Sequence, residues 1–133
     1  MAYAAITYRV RPGHEKEINE IFSGFTRPES PVLTDEDGKP SGLLLGTGLF
    51  LKDDVVVRVI HYEGSLEDVA RHMSVQEGVR EAERRLLPYL AAPRDTSTPQ
   101  GFLEHFGTAS METVQQFSLP PHVADELRRA TAL

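Results

Sequence analysis

Residues 55–64, VVVRVIHYEG, set an arginine in the middle of a run of valines and isoleucine. β-branched residues suit a pleated, half-buried surface, so residues 54–63 read as a strand. Alternation sends Val55, Val57, Val59 and His61 to one face, and Val56, Arg58, Ile60 and Tyr62 to the other. Neither face is solvent-like. Helices from the same chain cover one face only, so the other calls for a second sheet. The expected arrangement is a homodimer packed sheet to sheet, a dimeric α/β barrel, with Arg58 between its own sheet and helices. The competing arrangement puts the valines under the helices and Arg58 in solvent.

Working outward, AYAAITYRVR at residues 2–11 is a second strand, with Ala4, Ile6, Tyr8 and Val10 on one face, broken by Pro12 and Gly13. Ile18, Ile21, Phe22 and Phe25 follow at helical spacing. Residues 26–42, rich in proline, glycine and charge, read as a long loop, either a lid or a surface excursion. GLLLGTGLFLK at 42–52 pairs with 54–63 as a hairpin. Its Gly-Thr-Gly lies inside a strand and does not open a helix, which speaks for a bend and against a nucleotide loop. Ser65 with Asp68 is a capping pair ahead of an apolar stripe at Leu66, Val69, Ala70 and Met73. Ser74 with Glu77 suggests a second, after a break. Val79, Ala82 and Leu86 continue helically, and Pro88 bends or ends that helix. Thr98-Pro99 opens another helix through Phe102 and Phe106, closed by Gly107. ASMETVQQFSL at 109–119 reads as a last strand, and residues 120–133 as a C-terminal tail.

The order β-α-β-β-α-β defines an α+β, ferredoxin-like sandwich over residues 1–119. Of the 133 residues, 40% are hydrophobic and 26% charged, the balance of one soluble globular domain. A net charge of −6 argues against nucleic acid as a partner. The lack of cysteine excludes disulfides and thiol chemistry. No basic, then apolar leader begins the chain, and no run of about 18 apolar residues offers a membrane span. The expectation is a cytoplasmic protein.

Arg58 is the first candidate for chemistry. A buried guanidinium needs either a carboxylate, such as Glu112 on the last strand, or a wet cavity. In a cavity it stabilises an enolate or phenolate oxygen, although it never acts as a base. Tyr62 shares its face as a hydrogen-bond donor. His72, beside Val69 and Met73, suits proton transfer near neutral pH. His61 points to the opposite face. Phe22, Phe25, Phe102 and Phe106 are either a substrate-binding aromatic lining or plain core. The histidines lack ligand spacing, so no metal site is expected, and no flavin, haem or nicotinamide motif suggests a cofactor.

Together, VVVRVIHYEG, ARHMSVQEGV and RDTSTPQGF, placed after AYAAITYRVRPGHE, resemble the SchA/CurD-like family over residues 2–118. The resemblance implies a protein of aromatic (type II) polyketide or spore-pigment biosynthesis. It acts on a poly-β-ketone or polyphenol intermediate, beside other synthase and cyclase subunits. Two related families imply different reactions. Tetracenomycin-type cyclases close a ring by aldol chemistry and have a histidine where Arg58 stands. Cofactor-free anthrone monooxygenases form quinones and have an asparagine and a tryptophan where Arg58 and Tyr62 stand. This chain has no tryptophan, which breaks the second pattern. The expected function is a polyketide cyclase with Arg58, Tyr62 and His72 as catalytic residues. The alternatives are a cofactor-independent monooxygenase and a non-catalytic, chaperone-like subunit.

Overall fold

A computed structural model describes residues 1–24 and 30–133. Four antiparallel strands form one sheet in the order β1-β4-β3-β2, comprising β1 (Ala2–Arg9), β2 (Val32–Thr34), β3 (Pro40–Lys52) and β4 (Val55–Glu63). The helices are α1 (Glu15–Ser23), α2 (Leu66–Ser74), α3 (Glu77–Leu86), α4 (Pro99–Ala109) and α5 (Pro121–Thr131), with a 3-10 turn at Leu87–Tyr89. The architecture is the expected α+β, ferredoxin-like one. Among the described residues the sheet stays open and closes no barrel.

Register decides what each face carries. Ala4 pairs with Ile60, Ile6 with Arg58 and Tyr8 with Val56 across β1 and β4, while Leu49 and Leu51 oppose Arg58 and Val56 across β3 and β4. These residues form the face beneath the helices. Val56 and Ile60 are fully buried there, against Val69 of α2 and Leu86 of α3. Arg58 therefore lies between sheet and helices, not in solvent. On the open face, Val55, Val57 and Val59 are half-buried and Phe50 is 61% exposed.

Local chemistry sets the helix ends. Ser65 accepts the Asp68 N–H at 3.1 Å, and Thr98 accepts the Gly101 N–H at 3.1 Å. These side chains satisfy N–H groups that the first helical turn leaves orphaned. A Cβ on Gly101 would stand 2.2 Å from the Asp95 carbonyl oxygen, so only glycine fits that close approach at the start of α4.

Four expectations need correction. The 26–42 stretch is not all loop, since it contains β2 and the start of β3, joined by a turn in which the Asp35 carboxylate accepts the Asp37 and Lys39 N–H groups. The second capping pair does not form, because the buried Ser74 hydroxyl turns back to donate to the Arg71 carbonyl oxygen at 2.7 Å. Helix α4 runs past Gly107 to Ala109. Residues 109–119 make no strand. They meet β1 through one bridge, Ile6 to Ser110, and through Gln116 accepting the Tyr3 N–H. Taken at period two from Met111, this stretch presents threonine and glutamine between its apolar residues. It therefore has no apolar face to bury, and Val114 and Phe117 stay exposed. Helix α5 follows, entirely outside the core. No helix among the described residues is long and apolar enough to cross a membrane.

Candidate active site

A small cavity of about 40 Å³ lies between the sheet and the helices. The sheet contributes Ile6, Tyr8 and Arg58, which register places side by side. Phe22 comes from α1, Met73 from α2, and Val79, Ala82 and Glu83 from α3. Helix α4 adds Phe102, His105 and Phe106, on one side because their spacing is i, i+3, i+4. The walls are apolar and the polar groups few, as in binding sites for organic ligands.

Arg58 reaches Thr47 Oγ1 at 3.4 Å, and its guanidinium carbon lies 5.9 Å from the Phe22 ring centre. Burial lowers its pKa, and nearby Tyr8 and Glu83 act in the opposite direction. A partly desolvated cation of this kind favours an anionic oxygen. Beside it, Arg94 clasps Glu83, with Nη2 donating to the two carboxylate oxygens at 2.8 and 2.9 Å and Nε at 3.2 Å. The Thr96 hydroxyl donates to the same carboxylate at 2.9 Å. The Arg94 guanidinium also lies over the Tyr8 ring, 4.3 Å from its centre. Burial raises the Tyr8 pKa, against the opposing charge of Arg94, which keeps the phenol protonated.

His105 completes the group, with its ring edge-on to Tyr8 at 5.9 Å. Burial first, and then the Arg94 charge, push its pKa down to about 4, with Glu83 opposing. The unfolded chain binds this proton at the ordinary value near 6.5. Between those two pH values the unfolded state holds more protons, so folding stability falls as the pH is lowered through them. His105→Gln is expected to flatten that acid limb, as measured by urea unfolding at about pH 7 and about pH 4.5.

The candidates from sequence divide. Arg58, Phe22, Phe102 and Phe106 come together in the cavity. Tyr62 packs in the apolar core with Ala4, Ile60 and Val69 and does not line the cavity. His72 sits half-buried on α2 outside the lining, and its Nε2 has no hydrogen bond among the described residues. Phe25 lies outside the described residues. Glu112 is exposed beyond α4. Tyr8, Glu83, Arg94 and His105 had not stood out. One signal was available for Tyr8, its shared parity with Ile6 on the first strand. Glu83 and Arg94 meet only through the turn after α3.

The SchA/CurD-like domain profile matches residues 1–119. The chain is 37% identical over 116 residues, 87% of its length, to a 42.8 kDa protein in the whiE locus of Streptomyces coelicolor. It is 33% identical to the polyketide synthase CurD of Streptomyces cyaneus and 34% identical to the protein SchA of Streptomyces halstedii, each over 83% of its length. The aligned stretches cover only 27–28% of those three proteins. In three dimensions the chain resembles the tetracenomycin F2 cyclase of Streptomyces glaucescens, a type-II polyketide cyclase, with a TM-score of 0.55 and 15% identity. That likeness covers 90% of this chain and 100% of the cyclase, and at that identity it concerns the fold alone. With a domain profile across nine-tenths of its length and relatives above 30% identity, the chain belongs to the SchA/CurD-like family, which is linked to polyketide biosynthesis.

Proposed function

We propose that the protein is a polyketide cyclase that closes a ring of an aromatic poly-β-ketone intermediate by enolate chemistry. The observation that carries this reading is Arg58, a guanidinium set under the helices in a cavity with aromatic walls. Loss of a methylene proton to water leaves its electron pair on an enolate oxygen, which Arg58 stabilises. The enolate carbon then attacks a second ketone. A carbon–carbon bond forms, the carbonyl π pair moves to oxygen, and that oxygen takes up a proton. Holding the two carbons in contact and stabilising the anion supply most of the acceleration.

At about 40 Å³ the cavity has room for water and for one reacting carbonyl. Sites for whole polycycles occupy about 300–1,000 Å³. The rest of the substrate therefore lies outside the Arg58 pocket, or its walls part to admit it. The reaction consumes no dioxygen. Product made under isotopically labelled dioxygen is expected to carry no label, whereas one labelled quinone oxygen per molecule would replace the cyclase reading with a monooxygenase.

The working form is a homodimer joined through the open sheet face. That face exposes Val32, Leu43 and Phe50 beside the half-buried Val55, Val57 and Val59, an apolar surface of the kind that another sheet covers. Phe50→Asp is expected to yield a monomer in sedimentation analysis. A variant that remains dimeric would place the contact elsewhere.

A further inference from the structure

We propose that His105 is a catalytic residue of this site, its imidazole donating a hydrogen bond to the same enolate oxygen that Arg58 stabilises. The inference rests on the cyclase reading. His105 stands out from the other histidines by position. It alone lines the cavity that holds Arg58, whereas His61 stacks on Tyr3 on the opposite face of the sheet and His72 lies outside the lining. Among the described residues its ring nitrogens make no hydrogen bond to protein, and its ring contacts are the edges of Tyr8 at 5.9 Å and Phe102 at 6.4 Å. The imidazole is thus held by ring packing, with its polar atoms left over for a ligand.

The charges around it define what it does. Tyr8 approaches from β1, Arg58 lies across the cavity on β4, Glu83 stands on α3, and Arg94 lies in the turn that follows. Burial, and then the Arg94 guanidinium, make an added proton on the imidazole unfavourable, with Glu83 opposing. A histidine kept neutral is a poor proton acceptor here but a good electrophilic donor. It polarises a carbonyl without adding a third positive charge. In ring closure no proton need leave it. The methylene proton goes to water, the electron pair to the enolate oxygen, and Arg58 and His105 hold that oxygen from two sides.

The test uses 2,4-pentanedione, a small β-diketone whose enolate has its own ultraviolet absorbance. Enolate affinity is measured across pH for the wild-type protein, His105→Ala, His105→Gln and Arg58→Gln. A hydrogen bond to an anion corresponds to a loss of about tenfold to a hundredfold on removal. His105→Ala is expected to lose that much, and His105→Gln, which keeps an N–H donor, to retain most of the affinity. The imidazole resonances of His105 are expected to stay those of the neutral ring from about pH 8 to about pH 5. Enolate held tightly by wild type, weakly by Arg58→Gln and undiminished by His105→Ala would overturn the His105 assignment alone. So would an imidazole that titrates at its ordinary value near 6.5. Enolate held no better by wild type than by Arg58→Gln would bring down the cyclase reading and this inference together.

Discussion

Glu83→Ala is expected to destabilise the fold by about 3–5 kcal/mol, the largest stability effect of any single change at the site. The Glu83 and Arg94 side chains are only 14% and 11% exposed, and the pair is bidentate. Such a pair gains little over apolar packing when whole, because two ions had to leave water. Removing one partner leaves the other buried and uncompensated. Here the damage spreads. Arg94 loses its only carboxylate partner among the described residues, Thr96 loses its acceptor, and the cationic character around Arg58 and Arg94 goes unopposed. Urea unfolding of wild type and Glu83→Ala measures the cost. Adding Arg94→Ala should make the double variant less destabilised than the sum of the two singles, because no orphaned charge remains. A loss below about 1 kcal/mol for Glu83→Ala would show that water reaches Arg94 freely, as it does for surface pairs.

The second large effect is on rate. Arg58→Ala is expected to slow ring closure by about 100–1,000-fold, the scale seen when one oxyanion donor is removed. The fold should tolerate the change, since Arg58 is only half-buried. Arg58→Lys keeps the charge but not the planar fork of donors, so an intermediate rate is expected. Comparing initial rates with unfolding midpoints for the same preparations separates chemistry from stability. A variant within about twofold of wild type would remove Arg58 from the mechanism.

The strand around Arg58 could be read from sequence because its period is two and its residues are strongly β-forming. The parity that placed Val56, Arg58 and Ile60 on one face is the parity seen in the β1–β4 register. The helices around Val69 and Leu86 were likewise plain in their apolar spacing. What failed was weaker in local signal. Strand β2 spans three residues inside a polar, proline-rich stretch, and only the buried Leu33 marks it. Residues 109–119 carry apolar residues that look strand-like one at a time, but Thr113 and Gln115 interrupt the face that Met111, Phe117 and Leu119 would share.

The site was half legible for a similar reason. Arg58 announced itself as a charge in an apolar strand, and the three phenylalanines now lining the cavity lay on apolar helical stripes. His105 looked unremarkable within a short helix. Its significance comes from α4 packing near β1, which brings it against Tyr8, and no spacing rule encodes that contact. Tyr62 shows the converse limit. It shares Arg58's face, yet it lies two strand repeats farther along β4, in the core among Ala4, Ile60 and Val69. Face is set by parity, but position along the strand decides which side chains meet.

The most direct test of the account is the product made when the protein is added to a reconstituted aromatic polyketide synthase with dioxygen excluded. The account predicts a new ring pattern under those conditions, produced by wild type and largely lost with Arg58→Ala. An unchanged product pattern, with only a higher yield that survives the Arg58→Ala substitution, would contradict it and leave a binding, chaperone-like role.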